Sequence, residues 1–173
     1  MGGRLMLNDL TAEFLRSVLD YNPETGVFTW KVDIGQRGKK GAIAGNIHPS
    51  GYRFIRVAGR HYRAYRLAWL FYYGEWPKGP LDHKDRNRAN NVISNLRECT
   101  RSENAHNSTK CWGSSEYRGV SWQKSRNKWK AQISVNNKVI YLGLFDNELE
   151  AANVYREAKE KYHPFYWKEG KSD

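Results

Sequence analysis

The chain has 173 residues, with 29 Lys+Arg against 18 Asp+Glu, a net charge of +11 and a pI near 9.7. That length allows one domain or two small ones, and the cation excess makes a polyanion, nucleic acid first, the expected partner. No run approaches the ~18 apolar residues of a membrane span, no leader is recognisable, and Cys99 and Cys111 supply neither a disulfide framework nor the CxxC pairs of a structural zinc site, so a protein of the reducing cytoplasm without a membrane partner is expected.

Thr11 is a fitting N-cap for a short helix that puts Leu10, Phe14, Leu15, Val18 and Leu19 on one face. Asn22-Pro23-Glu24-Thr25-Gly26 supplies a turn, and Val27–Val32 reads as a strand. The Gly- and cation-rich stretch at 34–50 reads as an exposed, mobile loop. Tyr52–Val57 and His61–Tyr65 flank Ala58-Gly59-Arg60 in the pattern of a β-hairpin. Arg66–Tyr73 is apolar enough for a buried helix, stopped by Gly74 and Pro77. In Thr100-Arg101-Ser102-Glu103 the capping-box spacing predicts a helix start. A linker by composition follows at 109–115. Tyr117–Gln123, Trp129–Val135 and Lys138–Leu144 then read as three strands, with Asn136-Asn137 as the tight turn between the last two. Glu148–Tyr162 reads as a helix against which that meander can pack.

The densest chemistry lies in LDHKDRNRANNVISNLRECTRSENAHN, residues 81–107. Phosphodiester hydrolysis needs a base for water, a Lewis acid for developing charge, and groups that position both. His83 is a candidate base because an ordinary imidazole is mostly neutral at physiological pH. Asp82 and Asn104 are candidate oxygen donors to a hard divalent cation. Neighbouring side chains on a strand point to opposite faces, so Asp82 and His83 share a site only if the chain bends there or the substrate lies across the strand end. The asparagines at 90, 91 and 107 read as turn and cap residues.

The segment resembles the HNH nuclease family, phage-type HNH homing endonucleases in particular, through Asp82-His83, the loop KDRNRANN, Asn95-Leu96-Arg97 and Asn104. YRAYRLAWLFYYGEWPKG at 62–79 is similar to that family's lead-in, with Tyr65 where many relatives carry histidine. The resemblance implies that His83 deprotonates water, and that Asp82 and Asn104 bind one Mg²⁺ or Mn²⁺. It implies too that Asn95 holds the loop and orients His83. Arg97 would brace the motif or touch DNA phosphate. The products would be a 5′-phosphate and a 3′-hydroxyl.

The segment at 116–163 interleaves aromatics with cations, and one face of such a meander can enter a major groove. It resembles the Apetala-two/ethylene-response-factor DNA-binding domain through Tyr117-Arg118-Gly119-Val120, Lys128-Trp129-x-Ala131-x-Ile133, Tyr141-Leu142-Gly143-x-Phe145 and Glu150-Ala151-Ala152-x-x-Tyr155. The resemblance implies a DNA face made from Arg118, Trp122, Gln123, Lys128, Trp129, Gln132 and Tyr141. Ser121, Gln123 and Ser134 replace arginines of the plant pattern, so the plant target sequence does not carry over.

The expectation is an α+β chain: an HNH ββα-metal nuclease core at 61–108 supported by 1–60, a linker at 109–115, a three-stranded antiparallel sheet packed on one helix at 116–166, and a tail at 167–173. Its expected function is metal-dependent cutting or nicking of double-stranded DNA, as a monomer or, for double-strand breaks, a dimer. The alternatives are a DNA-binding regulator with an inactive nuclease module and a structured-RNA-binding protein.

Overall fold

The computed structural model describes residues 10–35, 38–107 and 114–163, except for the side chain of His106. Cys111, residues 109–113 of the expected linker and the expected tail lie outside them. The chain forms two compact units, divided between Arg101 and Ser102. Among the described residues no helix is long and apolar enough to cross a membrane.

In the first unit, α1 (Ala12–Val18) starts where Thr11 Oγ1 accepts the Phe14 amide. Its buried side is built from Leu10, Ala12, Leu15 and Leu19, whereas Phe14, expected inside, is exposed. Leu19 ends the helix and opens β1 (Leu19–Asn22), which pairs antiparallel with β2 (Val27–Trp30). The turn between them is the expected one: Asn22 Oδ1 accepts the amides of Glu24 and Thr25, and the Gly26 amide donates to Asn22 O. A second sheet has the order β3 (Asn46–Ile47), β4 (Arg53–Val57), β5 (Arg60–Arg63). The stretch read as a loop at 34–50 is thus partly built into the fold, since Asn46 and Ile47 pair with Phe54 and Arg53 and Ala44 is fully buried.

Helix α2 (Ala64–Tyr73) buries Ala64, Tyr65, Leu67, Ala68 and Leu70 in the core and stops at Gly74. The last sheet of the unit is the hairpin β6 (Leu81–His83) with β7 (Leu96–Glu98). Helix α3 (Arg101–Asn107) follows, and the boundary between the units falls within it.

The second unit is a three-stranded antiparallel sheet packed on one helix, as expected. Its order is β10 (Lys138–Phe145), β9 (Lys128–Val135), β8 (Val120–Gln123), and α4 (Glu148–Tyr162) lies against it. Asn136 and Asn137 both take positive φ in the β9–β10 turn, a conformation asparagine tolerates. Val120, Ala131, Ile133, Ala151, Ala152, Tyr155 and Ala158 fill the interior. The whole chain is α+β.

Candidate active site and nucleic-acid interface

The hairpin register places Asp82 opposite Arg97 and His83 opposite Leu96. Cross-strand neighbours share a face, so the guanidinium meets the carboxylate: Arg97 Nη2 and Nε lie 2.9 and 3.2 Å from Asp82 Oδ2. Arg97 thus braces Asp82. Asp82 is 8% exposed, and a carboxylate buried that far needs such a partner.

His83 is the last residue of β6, and the chain bends directly after it. The Lys84 amide donates to Asn95 O, and the Arg86 amide returns to His83 O. The imidazole is 5% exposed, and its ring centroid lies 5.0 Å from that of Tyr65, edge to face, and 6.1 Å from that of Tyr52. Burial is the main influence on its pKa and lowers it; Asn91, Asp85 and Asp82 oppose that, and Arg88 adds to it. The imidazole is therefore held in its neutral form at physiological pH, the state a general base requires.

The amide beside His83 is that of Asn91, with Oδ1 3.5 Å from Nε2. Asn91 Nδ2 donates to Ala89 O at 3.0 Å, which turns Oδ1 toward the ring. With Nε2–H donating to that oxygen, the ring's lone pair lies on Nδ1. Asn91 is 2% exposed, and Tyr21 Oη donates to its carbonyl at 2.7 Å.

This differs from the expectation for Asn95. Its Oδ1 accepts the Asp85 amide, and its Nδ2 donates to Asp85 Oδ1 and Asn90 O. Asn95 bonds within the loop, while the amide beside His83 is that of Asn91. Asp85 completes the loop by also accepting from the Asn87 amide and Asn90 Nδ2. Asn104 lies on α3.

Among the described residues no three His, Cys, Asp or Glu side chains gather into a cage. The carboxylate of Asp82 nevertheless suits a hard cation, because Mg²⁺ is commonly held by one or two protein oxygens together with substrate phosphate and water.

In the second unit the strand register sorts the expected DNA face. Trp122 pairs with Trp129 on the side facing α4, their ring centroids 5.1 Å apart, and Trp129 packs against the core of Val120, Ala131, Ala151 and Ala152. The two tryptophans therefore turn away from the open face, a correction that follows from the two-residue period of the strands. Lys128 pairs with Gln123, Lys130 with Ser121 and Gln132 with Tyr141 on the opposite, open face. Lys130 is the residue the sequence reading missed there. Lys128 Nζ reaches Asp146 at 3.0 Å, and Arg118 Nη1 donates to Ala105 O at 3.0 Å.

Two substitutions separate the faces. Trp129→Ala is expected to cost about 2–3 kcal/mol of stability, since it empties a packed site. Tyr141, 60% exposed, is expected to change stability by less than about 0.5 kcal/mol on replacement by Ala, while duplex binding weakens. Thermal melts and a mobility shift read both variants. An equal loss of melting temperature in the two would reverse the assignment of faces.

Residues 62–106 match the HNH endonuclease family, and residues 115–163 match the AP2 domain. Protein 3.8 of Escherichia phage T7 is 30% identical over 115 residues, which span 65% of this chain and 92% of that protein. APETALA2-like protein 2 of Oryza sativa subsp. indica is 43% identical over 53 residues, 30% of this chain and 12% of the plant protein. A solved structure of the HNH homing endonuclease I-HmuI, on its DNA binding and cleavage, is 26% identical; the match covers 52% of this chain and 51% of that one, with a TM-score of 0.40. The chain therefore spans nearly all of the phage relative and a small part of the plant protein.

Proposed function

The chain belongs to the HNH endonuclease family and carries an AP2 domain behind the nuclease segment, and on that premise we propose that it is a metal-dependent DNA endonuclease of the phage homing type. The two domains together support a DNA endonuclease with its own DNA-binding domain. The finer reading is carried by His83, which is buried beside the Asn91 amide and whose pKa burial lowers.

In this reading His83 Nδ1 takes the proton of the attacking water. The water oxygen bonds to phosphorus and the P–O3′ bond breaks, leaving a 5′-phosphate and a 3′-oxyanion that takes a proton from solvent water to become the 3′-hydroxyl. Asp82 and, by the family resemblance, Asn104 would hold one Mg²⁺ or Mn²⁺, which would supply Lewis acidity at the scissile phosphate. Arg97 keeps the Asp82 carboxylate in place, and Asn95 keeps the loop closed behind His83. Residues 61–108 form the nuclease core, supported by 1–60. The module at 116–166 selects the site through the open sheet face of Gln123, Lys128, Lys130, Gln132 and Tyr141, with Arg118 at its edge. Tethering raises the effective concentration of the nuclease at the chosen sequence. With one site per chain, a monomer nicks one strand in the cytoplasm of a bacterial host.

Supercoiled plasmid tests the reading. Nicked circles are expected with Mg²⁺ or Mn²⁺ and none with EDTA. Duplex binding without nicking in either ion would instead establish a DNA-binding regulator with an inactive nuclease module. Preferential binding of structured RNA over duplex DNA would establish the third reading.

A further inference from the structure

Two arginines to which the family resemblance gives no role lie near His83. Arg63, the last residue of β5, stacks its guanidinium on Tyr52, with Cζ 4.8 Å from the ring centroid, and reaches Phe54 at 6.0 Å. Its Nη1 donates to Tyr65 Oη at 3.1 Å. Arg88, in the loop after His83, places Cζ 5.0 Å from the centroid of the same Tyr52 ring, and its Nη1 donates to Ser50 O at 2.9 Å. Tyr52 and Tyr65 both set aromatic rings against His83. Each therefore touches a guanidinium: Tyr52 those of Arg63 and Arg88, and Tyr65 that of Arg63.

Three features of this cluster are unusual for a purely structural arrangement. One tyrosine gathers two like charges, which repel each other unless an anion joins them. Arg97 has a carboxylate partner nearby, yet among the described residues neither Arg63 nor Arg88 has one. Both side chains are exposed, and each uses a single nitrogen in the hydrogen bonds above, so most of their five N–H donors remain for a ligand.

Stacking on an aromatic ring fixes a guanidinium in advance, and the planar fork that remains matches two phosphate oxygens. Pre-fixed donors lose less conformational entropy on binding than mobile lysines do.

We propose that Arg63 and Arg88, mounted on Tyr52 and Tyr65, form a clamp for the backbone phosphodiesters of DNA at the His83 site. The clamp reads no base. It holds the strand so that one linkage faces His83, and it supplies affinity whose salt dependence follows the number of phosphates engaged. The proposal rests on the nuclease reading only for the identity of the reacting group, because phosphate binding needs no cleavage.

The test uses the full chain with Arg63→Met and Arg88→Met, which keep the apolar stem on the tyrosine and remove the charge, and with Arg63→Lys and Arg88→Lys, which keep the charge and remove the fork. Binding to a random-sequence duplex is measured in EDTA across salt concentrations, and thermal melts accompany it. Each Met variant is expected to bind about tenfold more weakly at low salt. Its log Kd should depend less steeply on log salt, by about 0.9 per lost contact. The Lys variants should recover most of the slope. In Mg²⁺ or Mn²⁺ the Met variants should raise KM for plasmid more than they lower kcat.

Unchanged salt slopes in the Met variants would overturn the clamp, whether or not their melting temperatures fall, and would leave the arginines as supports for Tyr52. Reduced slopes in the Met variants, with a wild-type protein that does not nick, would sink the nuclease reading and keep the phosphate site. Unchanged slopes in a protein that does nick would sink the clamp alone.

Discussion

His83→Ala is expected to lower plasmid nicking by at least ~100-fold, the span a positioned general base contributes, and to leave duplex affinity within about twofold of wild type. The asymmetry follows from the surroundings of the imidazole. It is almost wholly enclosed by Tyr52, Tyr65 and Asn91, and burial keeps it uncharged, so it adds little to the attraction of phosphate. The charges that draw in DNA lie elsewhere and are untouched. Removing a ring at 5% exposure also opens a cavity, so His83→Gln serves as the companion variant with less lost volume. Both variants should bind and fail to cut. Asn91→Ala should retain the imidazole but release its tautomer, and a partial loss of cutting between wild type and His83→Ala is expected. Full nicking by His83→Ala would remove the imidazole from the reaction, whatever its geometry.

Local signals carried much of the fold. Thr11, the 22–26 turn, the Ala58-Gly59 hairpin, Gly74 and the Asn136-Asn137 turn each act within a few residues, and the chain obeys them. What the sequence hid depends on distant partners. Leu19 fits a helical stripe and an inward strand position equally well, so β1 merged with α1 in a pattern reading. Ala44 is buried because β2 and β4 pass beside it, which no local composition announces. In the second unit the faces were misassigned for a sharper reason. Trp122 and Trp129 look alike as aromatic neighbours of cations, and only the register of β8 on β9 decides which side they take. The irregularity in β10 between Tyr141 and Gly143 shifts that alternation again, a detail set by pairing and not by hydropathy.

The same contrast runs through the site. Asp82-His83 stands out because the residue types are themselves the chemistry. Asn91 does not, since it is one of several asparagines in a polar loop, most of which bond only to the loop itself. Asn87 and Asn90 accept amides two residues ahead, at Ala89 and Val92. Asn91 differs because Tyr21, seventy positions away, fixes its carbonyl, and its side chain is thereby left to face His83. No local signal marks Asn91, since a turn glycine such as Gly26 is already explained by its positive φ.

Close packing on Gly26 yields the second large prediction. Gly26 has φ +69, and a Cβ there would fall 2.4 Å from Val92 N and 2.5 Å from the Asn91 carbonyl carbon. Both are backbone atoms, so no side-chain rotation relieves the overlap. Gly26→Ala must therefore push the β1–β2 turn away from the 91–92 peptide, straining the Ile93 N–H bond to Pro23 O and the Tyr21 bond to Asn91 O. The left-handed backbone alone costs an alanine about 1–2 kcal/mol, and overpacking adds about 1–3 kcal/mol. Melting of the first unit should fall by roughly 10 °C or more. Gly59 supplies the comparison: its φ is +80, but nothing lies within 4 Å of the position its Cβ would take. Gly59→Ala should show the backbone cost alone and nick plasmid as wild type does. If the hairpin turn positions Asn91, and Asn91 positions His83, then Gly26→Ala should nick about tenfold more slowly even well below its melting temperature, where the protein remains folded. Equal nicking by the two variants at that temperature would break the chain of contacts from the β1–β2 turn to the imidazole.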